Sequence, residues 1–432
     1  KKNKEKKSFS SDLSVIANSC ERILRCSQPR VKKLEVKWIV IVQAPSVLQA
    51  ASSTERHPEF TSNVCSEPMW FGAAVGNLIC VSAWVAPIFL LPGSLVLITA
   101  PHGPKAVMGG LLAGAVLAGG PKTLGFRASI LAGLSYFTYN CPPSGQGSSA
   151  FGLVSLFVML AMITEVPGRR KSWSRSPAFF NFITETLDAR SYYAKATLRG
   201  NLAGIKPGRV MYAVHPHGVL TAGWTWNLFF NSDFHKLAGR VGFLLDEGLR
   251  LKSPSFRLMC DWCESDNMWA GAATKRTMLK AMEAGETSLA LLPGGFQEAT
   301  LCSRGKDRVY VKKRAGFVKY CLMHGYSITP CYTFGESDTY SCFPYLLGPR
   351  LWLAKRNIPA AAMFGAWWCP VLPKASAELQ TFVGDNIKLP KIEQPTEADI
   401  KKYHGLYMDA LVALFEKYKG EAGRPGAVLE VF

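Results

Sequence analysis

Between Phe71 and Thr99 the chain carries no Asp, Glu, Lys or Arg. This run, FGAAVGNLICVSAWVAPIFLLPGSLVLIT, exceeds the about 20 apolar residues that take a helix across a bilayer core. Pro87 and Pro92 kink such a helix, or fold it into a hairpin that dips in and returns, where neighbouring groups satisfy the freed carbonyls. Two shorter apolar blocks follow, 106–120 and 148–164, and each also reads as a buried helix of a soluble domain. The basic run GRRKSWSR (168–175) follows the third block, and basic residues dominate the stretch before Phe71. Positive flanks stay in the cytosol, so an even number of crossings is expected.

The composition points to membrane contact or to an unusually large buried interior. Hydrophobic residues make up 48% of the chain and charged residues 19%, below the roughly 25% of soluble domains. A net charge of +19 suits nucleic acid, an anionic membrane face or a polyphosphate-bearing substrate. No zinc-finger spacing or RNA-binding aromatic signature accompanies the basic residues, which argues against nucleic acid. The 12 cysteines form no regular framework, as expected of reduced, cytosol-facing thiols. Cys260 and Cys263 stand as CxxC without a second pair, so two ordinary thiols are favoured over a metal site.

Three regions follow. Residues 1–65 read as a basic, disordered tail, 66–167 as a membrane-embedded helical region, and 168–432 as a cytosol-facing domain. In this last region short apolar strands alternate with amphipathic helices. RVMYAV (209–214), TSLALL (287–292) and YSITPCYTF (326–334) read as strands. Residues 271–284 and 314–324 read as helices stopped by Gly285 and Gly325. Thr396, with Asp399 three residues on, caps a last helix that Gly420 ends. Helix, glycine and strand in repeated succession give an α/β class.

Chemistry concentrates where strands end. RVMYAV runs into His215-Pro216-His217-Gly218, and the end of a buried strand is where α/β proteins place reactive groups. A neutral imidazole there can take a proton from an attacking alcohol. A zinc pair or a structural turn are the other readings, and no ligand cluster nearby supports zinc. TSLALL leads to Pro293-Gly294-Gly295-Phe296-Gln297-Glu298, whose glycine N–H groups suit an oxyanion or a phosphate. An ordinary strand-to-helix turn is the plainer reading. A basic cluster between Arg304 and Lys319, including Arg314, suits polyphosphate or forms a solvated face. No GxSxG elbow, P-loop or dinucleotide fingerprint occurs.

YAVHPHGVLTAG, LLPGGFQEA and RAGFVKYCLMHGYSITPCYTFGESDTY together resemble the signature blocks of the type-2 diacylglycerol acyltransferases, a family that includes monoacylglycerol acyltransferases and wax-ester synthases. The tail from Val383 to Gly423 is similar to the family's C-terminal segment, so the resemblance covers roughly residues 177–432. It implies a membrane-anchored acyltransferase domain with a mixed sheet flanked by helices, preceded by a transmembrane or re-entrant helical hairpin. It also implies transfer of a fatty acyl group from acyl-CoA to diacylglycerol at the endoplasmic reticulum membrane, and at lipid droplets. The catalytic domain then faces the cytosol, with membrane lipids as partners and no cofactor or metal.

Matched residue by residue, the active-site block falls on His215, Pro216, His217 and Gly218. Some members carry EPHS there and keep only the second histidine, which favours His217 as base. Glu298 is the expected supporting carboxylate, because the histidine-x4-aspartate of glycerophosphate acyltransferases is absent and Ala222 stands five residues after His217. Gly294, Gly295, Arg314 and Lys319 are expected at the substrates. The family's tyrosine-phenylalanine-proline block has only Ser191-Tyr192-Tyr193-Ala194 as a counterpart. Monoacylglycerol and fatty alcohol stay open as acceptors. A non-catalytic lipid-droplet scaffold is the rival from another class, and a homo-oligomer is compatible with the chain.

Overall fold

The computed structural model describes residues 70–84, 175–356, 361 and 363–432. Among the described residues eleven strands follow in chain order: β1 (Lys195–Gly200), β2 (Val210–His215), β3 (Val241–Leu245), β4 (Met268–Ala272), β5 (Ser288–Leu291), β6 (Asp307–Val309), β7 (Ser327–Phe334), β8 (Ser341–Cys342), β9 (Met363–Phe364), β10 (Glu378–Val383) and β11 (Leu429–Val431). Seven make one mixed sheet in the order β1-β10-β7-β2-β5-β3-β4. Within this sheet only the β10–β7 pairing is antiparallel.

β2 lies near the middle and is buried along its whole length. Its residues alternate between two cores, as the period of a strand requires. Val210, Tyr212 and Val214 join Phe229, Phe234 and Phe243 on one face. Met211 and Ala213 join Phe317, Tyr332, Leu411 and Phe415 on the other. The second core is closed by the helix Glu397–Tyr418, which opens on the expected capping box of Thr396 and Asp399. Gly285 and Gly325 end their helices in the left-handed conformation, also as expected.

One sequence reading changes. The expected helix over 271–284 is a strand up to Ala272 and a helix from Lys275. The run after Gly218 is a short helix, Ala222–Trp224, that continues as a π-helical turn, Thr225–Phe229.

Residues 70–84 form a helix. Ala73, Ala74, Asn77, Cys80 and Val81 are buried on it, and Asn77 and Ala83 bond to Ala189 and Ser255 of the α/β domain. No helix among the described residues is long and apolar enough to cross a membrane. The expected tail, the rest of the expected hairpin and the blocks 106–120 and 148–164 lie outside the described residues.

Candidate active site

β7, β2 and β5 are adjacent and parallel, so their C-terminal ends leave the sheet along one edge. HPHG follows β2, PGGFQE follows β5, and Gly335-Glu336 follows β7. Blocks far apart in the chain meet there for that reason, at the edge where open α/β sheets bind ligands.

Glu298 is buried and joins two of these blocks. Its carboxylate accepts the backbone N–H of His217 (2.6 Å) and of Tyr310 (2.7 Å). Both its oxygens also lie 3.0 Å from His215 Nδ1. With Nδ1 donating to the carboxylate, His215 Nε2 takes the Tyr407 hydroxyl at 2.8 Å. Burial holds the Tyr407 phenol well above its ordinary range, so it remains an O–H donor. His215 is fully buried, and both its ring nitrogens are engaged. Strand alternation aims it with Met211 and Ala213 at the C-terminal helix, and it does not border the cavity that His217 lines, unlike the expectation that places it beside His217 in the chemistry.

His217 is placed differently. Its Nδ1 lies 2.9 Å from Gly218 O, and a carbonyl only accepts. In the neutral ring Nδ1 therefore carries the proton and Nε2 presents a lone pair. Burial lowers the imidazole pKa below its ordinary 6.5, which keeps the ring neutral at pH 7. Glu298 orients this residue through its main chain, not by the expected bond to its ring.

Glycines make room for both carboxylates. A side chain at Gly294 would collide with Glu298, and one at Gly218 (φ +60°) would collide with Glu336. Glu336 is buried and accepts Ala222 N (2.8 Å) and Gly223 N (2.6 Å), fixing the helix that follows the histidines. Burial, only partly offset by these two donors, raises its carboxyl to about 7. Sequence reasoning gave Glu336 no role, although it stands in the quoted block FGESDTY. Gly218→Ala is expected to abolish activity and lower the thermal midpoint, since it combines positive-φ strain with that collision. Normal melting and turnover in this variant would refute the packing argument.

His217 borders a cavity of about 640 Å³, within the range that holds small-molecule ligands. Trp84, Trp224, Trp226, Phe229, Phe230 and Met259 supply apolar wall, and Lys275, Lys313 and Arg314 supply positive charge. Arg314 bonds to Gln297 and lies 5.6 Å from the Tyr310 ring centre. Of the other expected residues, Gly295 borders the cavity. Its N–H, however, turns back to Leu292 O at 3.3 Å, away from the expected oxyanion role. Pro216 is buried behind the turn. Lys319 is exposed on the outer face of its helix and is not brought to the cavity. Tyr193 borders the cavity, while Tyr192 donates to Pro373 O at 2.7 Å. Lys275, Leu245 and Asp246 at the ends of β3 and β4 also reach it, and no motif announced them.

The family model described as diacylglycerol acyltransferase matches residues 153–431. Diacylglycerol O-acyltransferase 2 of Homo sapiens is 28% identical over 279 residues, covering 61% of this chain and 69% of its own. The protein of that name from Dictyostelium discoideum is 29% identical over 271 residues, covering 59% and 77%. Acyl-CoA wax alcohol acyltransferase 2 of Mus musculus is 31% identical over 234 residues, covering 51% and 68%. No solved structure matches the chain. With its histidine turn and buried glutamate at one sheet edge, the chain belongs to the diacylglycerol acyltransferase family and is an acyl-transferring enzyme.

Proposed function

We propose that the protein transfers a fatty acyl group from acyl-CoA to the free hydroxyl of diacylglycerol, forming triacylglycerol. The observation that carries this reading is His217, its Nδ1 engaged by Gly218 O, on a largely apolar cavity with three cationic side chains in its lining. The acceptor oxygen attacks the thioester carbonyl while His217 takes its proton. The C–S bond then breaks, the ester forms, and the imidazolium returns the proton to the leaving thiolate. Lys275, Lys313 and Arg314 suit the phosphates of coenzyme A. The thioester is already activated, so the reaction calls for no cofactor. A site at the cytosolic surface of the endoplasmic reticulum membrane gives both substrates access.

The test is to incubate the full chain with labelled oleoyl-CoA, dioleoylglycerol and hexadecanol, and to separate the products. Triacylglycerol is expected to exceed wax ester; the reverse would reassign the acceptor to a fatty alcohol, as in the name of the mouse relative. The pH profile belongs to the same experiment. A base with a lowered pKa stays active as pH falls to 6.5 and loses activity only below it. An acid limb centred above 6.5 would contradict His217 as that base.

A further inference from the structure

The helix of residues 70–84 holds no Asp, Glu, Lys or Arg, and the charge-free run to which it belongs continues to Thr99. One face packs on the α/β domain through Ala73, Ala74, Asn77, Cys80 and Val81. The other face carries Phe71, Val75, Leu78 and Ser82, at the spacing of a helical stripe, and Phe71 is 67% exposed. At the start of this stripe the Trp70 ring lies 6.1 Å from the Trp368 ring, centre to centre. Trp367 and Trp368 occupy a turn that Cys369 N closes by donating to Ala366 O at 3.1 Å, and Trp367 is 85% exposed. In the hairpin of β8 and β9, Cys342 and Met363 pack on Val219, Cys302 and Tyr340. Strand alternation leaves Phe343 and Phe364 outward, and both are exposed.

A large exposed apolar patch marks a surface that something covers, and the charges around this one point to its occupant. From Thr339 to Ala377 the chain has no Asp or Glu, while Lys355 and Arg356 are exposed. The Arg356 guanidinium lies 3.5 Å from the centre of the exposed Trp352 ring. Indole rings beside cations, with no carboxylate among them, suit the headgroup level of a bilayer that carries negative lipids. The helix of residues 70–84 also belongs to a run longer than the about 20 apolar residues that cross a bilayer core. We infer that the outer face of this helix, the Trp367-Trp368 turn and the β8–β9 hairpin form one surface that seats the domain on an anionic phospholipid bilayer. The seat and the cavity share elements. The same helix lines the cavity with Asn77, Cys80 and Trp84, and Tyr340 and Pro373 border it from the acid-free segment. This seating does not depend on acyl transfer.

The experiment places the full chain in phosphatidylcholine vesicles, with and without phosphatidylserine, that contain a phosphatidylcholine bearing a diazirine on its acyl chain. Light attaches this lipid to the residues beside it, and mass spectrometry of the digest reads where. Peptides that hold Phe71, Phe364 and Trp367 should carry about tenfold more label than the peptide that holds Leu406, an exposed leucine of the Glu397–Tyr418 helix, because side chains seated in the interface reach acyl chains. Phosphatidylserine should raise the label severalfold, and Lys355→Glu combined with Arg356→Glu should cancel that gain. Trp367→Glu sets a carboxylate in the apolar seat at a side chain that leaves no void in the core. Its thermal midpoint in detergent should match wild type, while the label at Phe364 should fall severalfold.

Equal label on the Leu406 peptide, or none at Phe364 and Trp367, would overturn the bilayer seat. So would an unchanged label in Trp367→Glu. A wild type indifferent to phosphatidylserine would overturn the preference for anionic lipid. A surface unlabelled by lipid, with Lys355 joined to a second chain by a bifunctional amine cross-linker, would assign the patch to a second copy of this protein instead. If lipid labels the surface as expected but no acceptor is acylated, the acyl-transfer reading fails and the seating stands.

Discussion

His217→Ala is expected to lose about 100- to 10,000-fold in the rate of acyl transfer, the usual cost of removing a positioned general base. The fold should survive. Glu298 holds this residue through its main-chain N–H, which alanine retains, and the imidazole makes its hydrogen bond to the neighbouring Gly218 O. Thermal melting close to wild type should accompany the loss, and acyl-CoA binding should persist because the cationic side chains are untouched. Initial rates at matched protein levels and saturating oleoyl-CoA measure the effect. Activity within a few-fold of wild type would remove His217 from the chemistry. A shared collapse of melting temperature and rate would make it a structural residue.

Glu298→Gln should be the second large effect, for a different reason. The carboxylate receives donors at both oxygens: His217 N and His215 Nδ1 at one, Tyr310 N and His215 Nδ1 at the other. A glutamine of the same shape must turn its NH2 toward one of these sets, setting donor against donor at hydrogen-bond distance. Leaving a buried donor unsatisfied in this way costs about 1–3 kcal/mol. The His217 turn then loses its anchor, and a displacement near 1 Å costs roughly 100-fold in rate. The thermal midpoint and kcat should therefore fall together, in contrast to His217→Ala. A variant that melts normally and is slow would place Glu298 in the chemical step; one that melts and turns over normally would refute its anchoring role.

Glu298 also shows how far the sequence reaches. PGGFQE after an apolar strand makes its glutamate a candidate partner for HPHG, and the two do meet because β2 and β5 are parallel neighbours. The atom that the carboxylate holds could not be read, since main-chain contacts leave no mark on residue type. The same limit separated the two histidines. Alternation along β2 assigns His215 to the face of Met211 and Ala213, but the turn after it breaks that period and takes His217 to the cavity. β3 and β4 escaped a sequence reading because each contains a glycine, Gly242 and Gly271, where the Trp269 ring packs too closely for a side chain. Such glycines weaken the pattern by which a strand is recognised.

What the sequence by itself determined was the class. Helix–glycine–strand order gives an α/β class, and the blocks at the strand ends give acyl transfer through their resemblance to a known family, because local periodicity and short motifs are properties of neighbouring residues. What only the tertiary structure decided was which groups touch. It left Lys319 facing outward and brought Lys275 to the cavity. It set Tyr407 against His215 and Glu336 beneath Gly218. It also carried Asn77, from a run that reads as bilayer-spanning, to the cavity that His217 borders. Each of these depends on contacts between distant elements, and residue order does not encode such contacts locally.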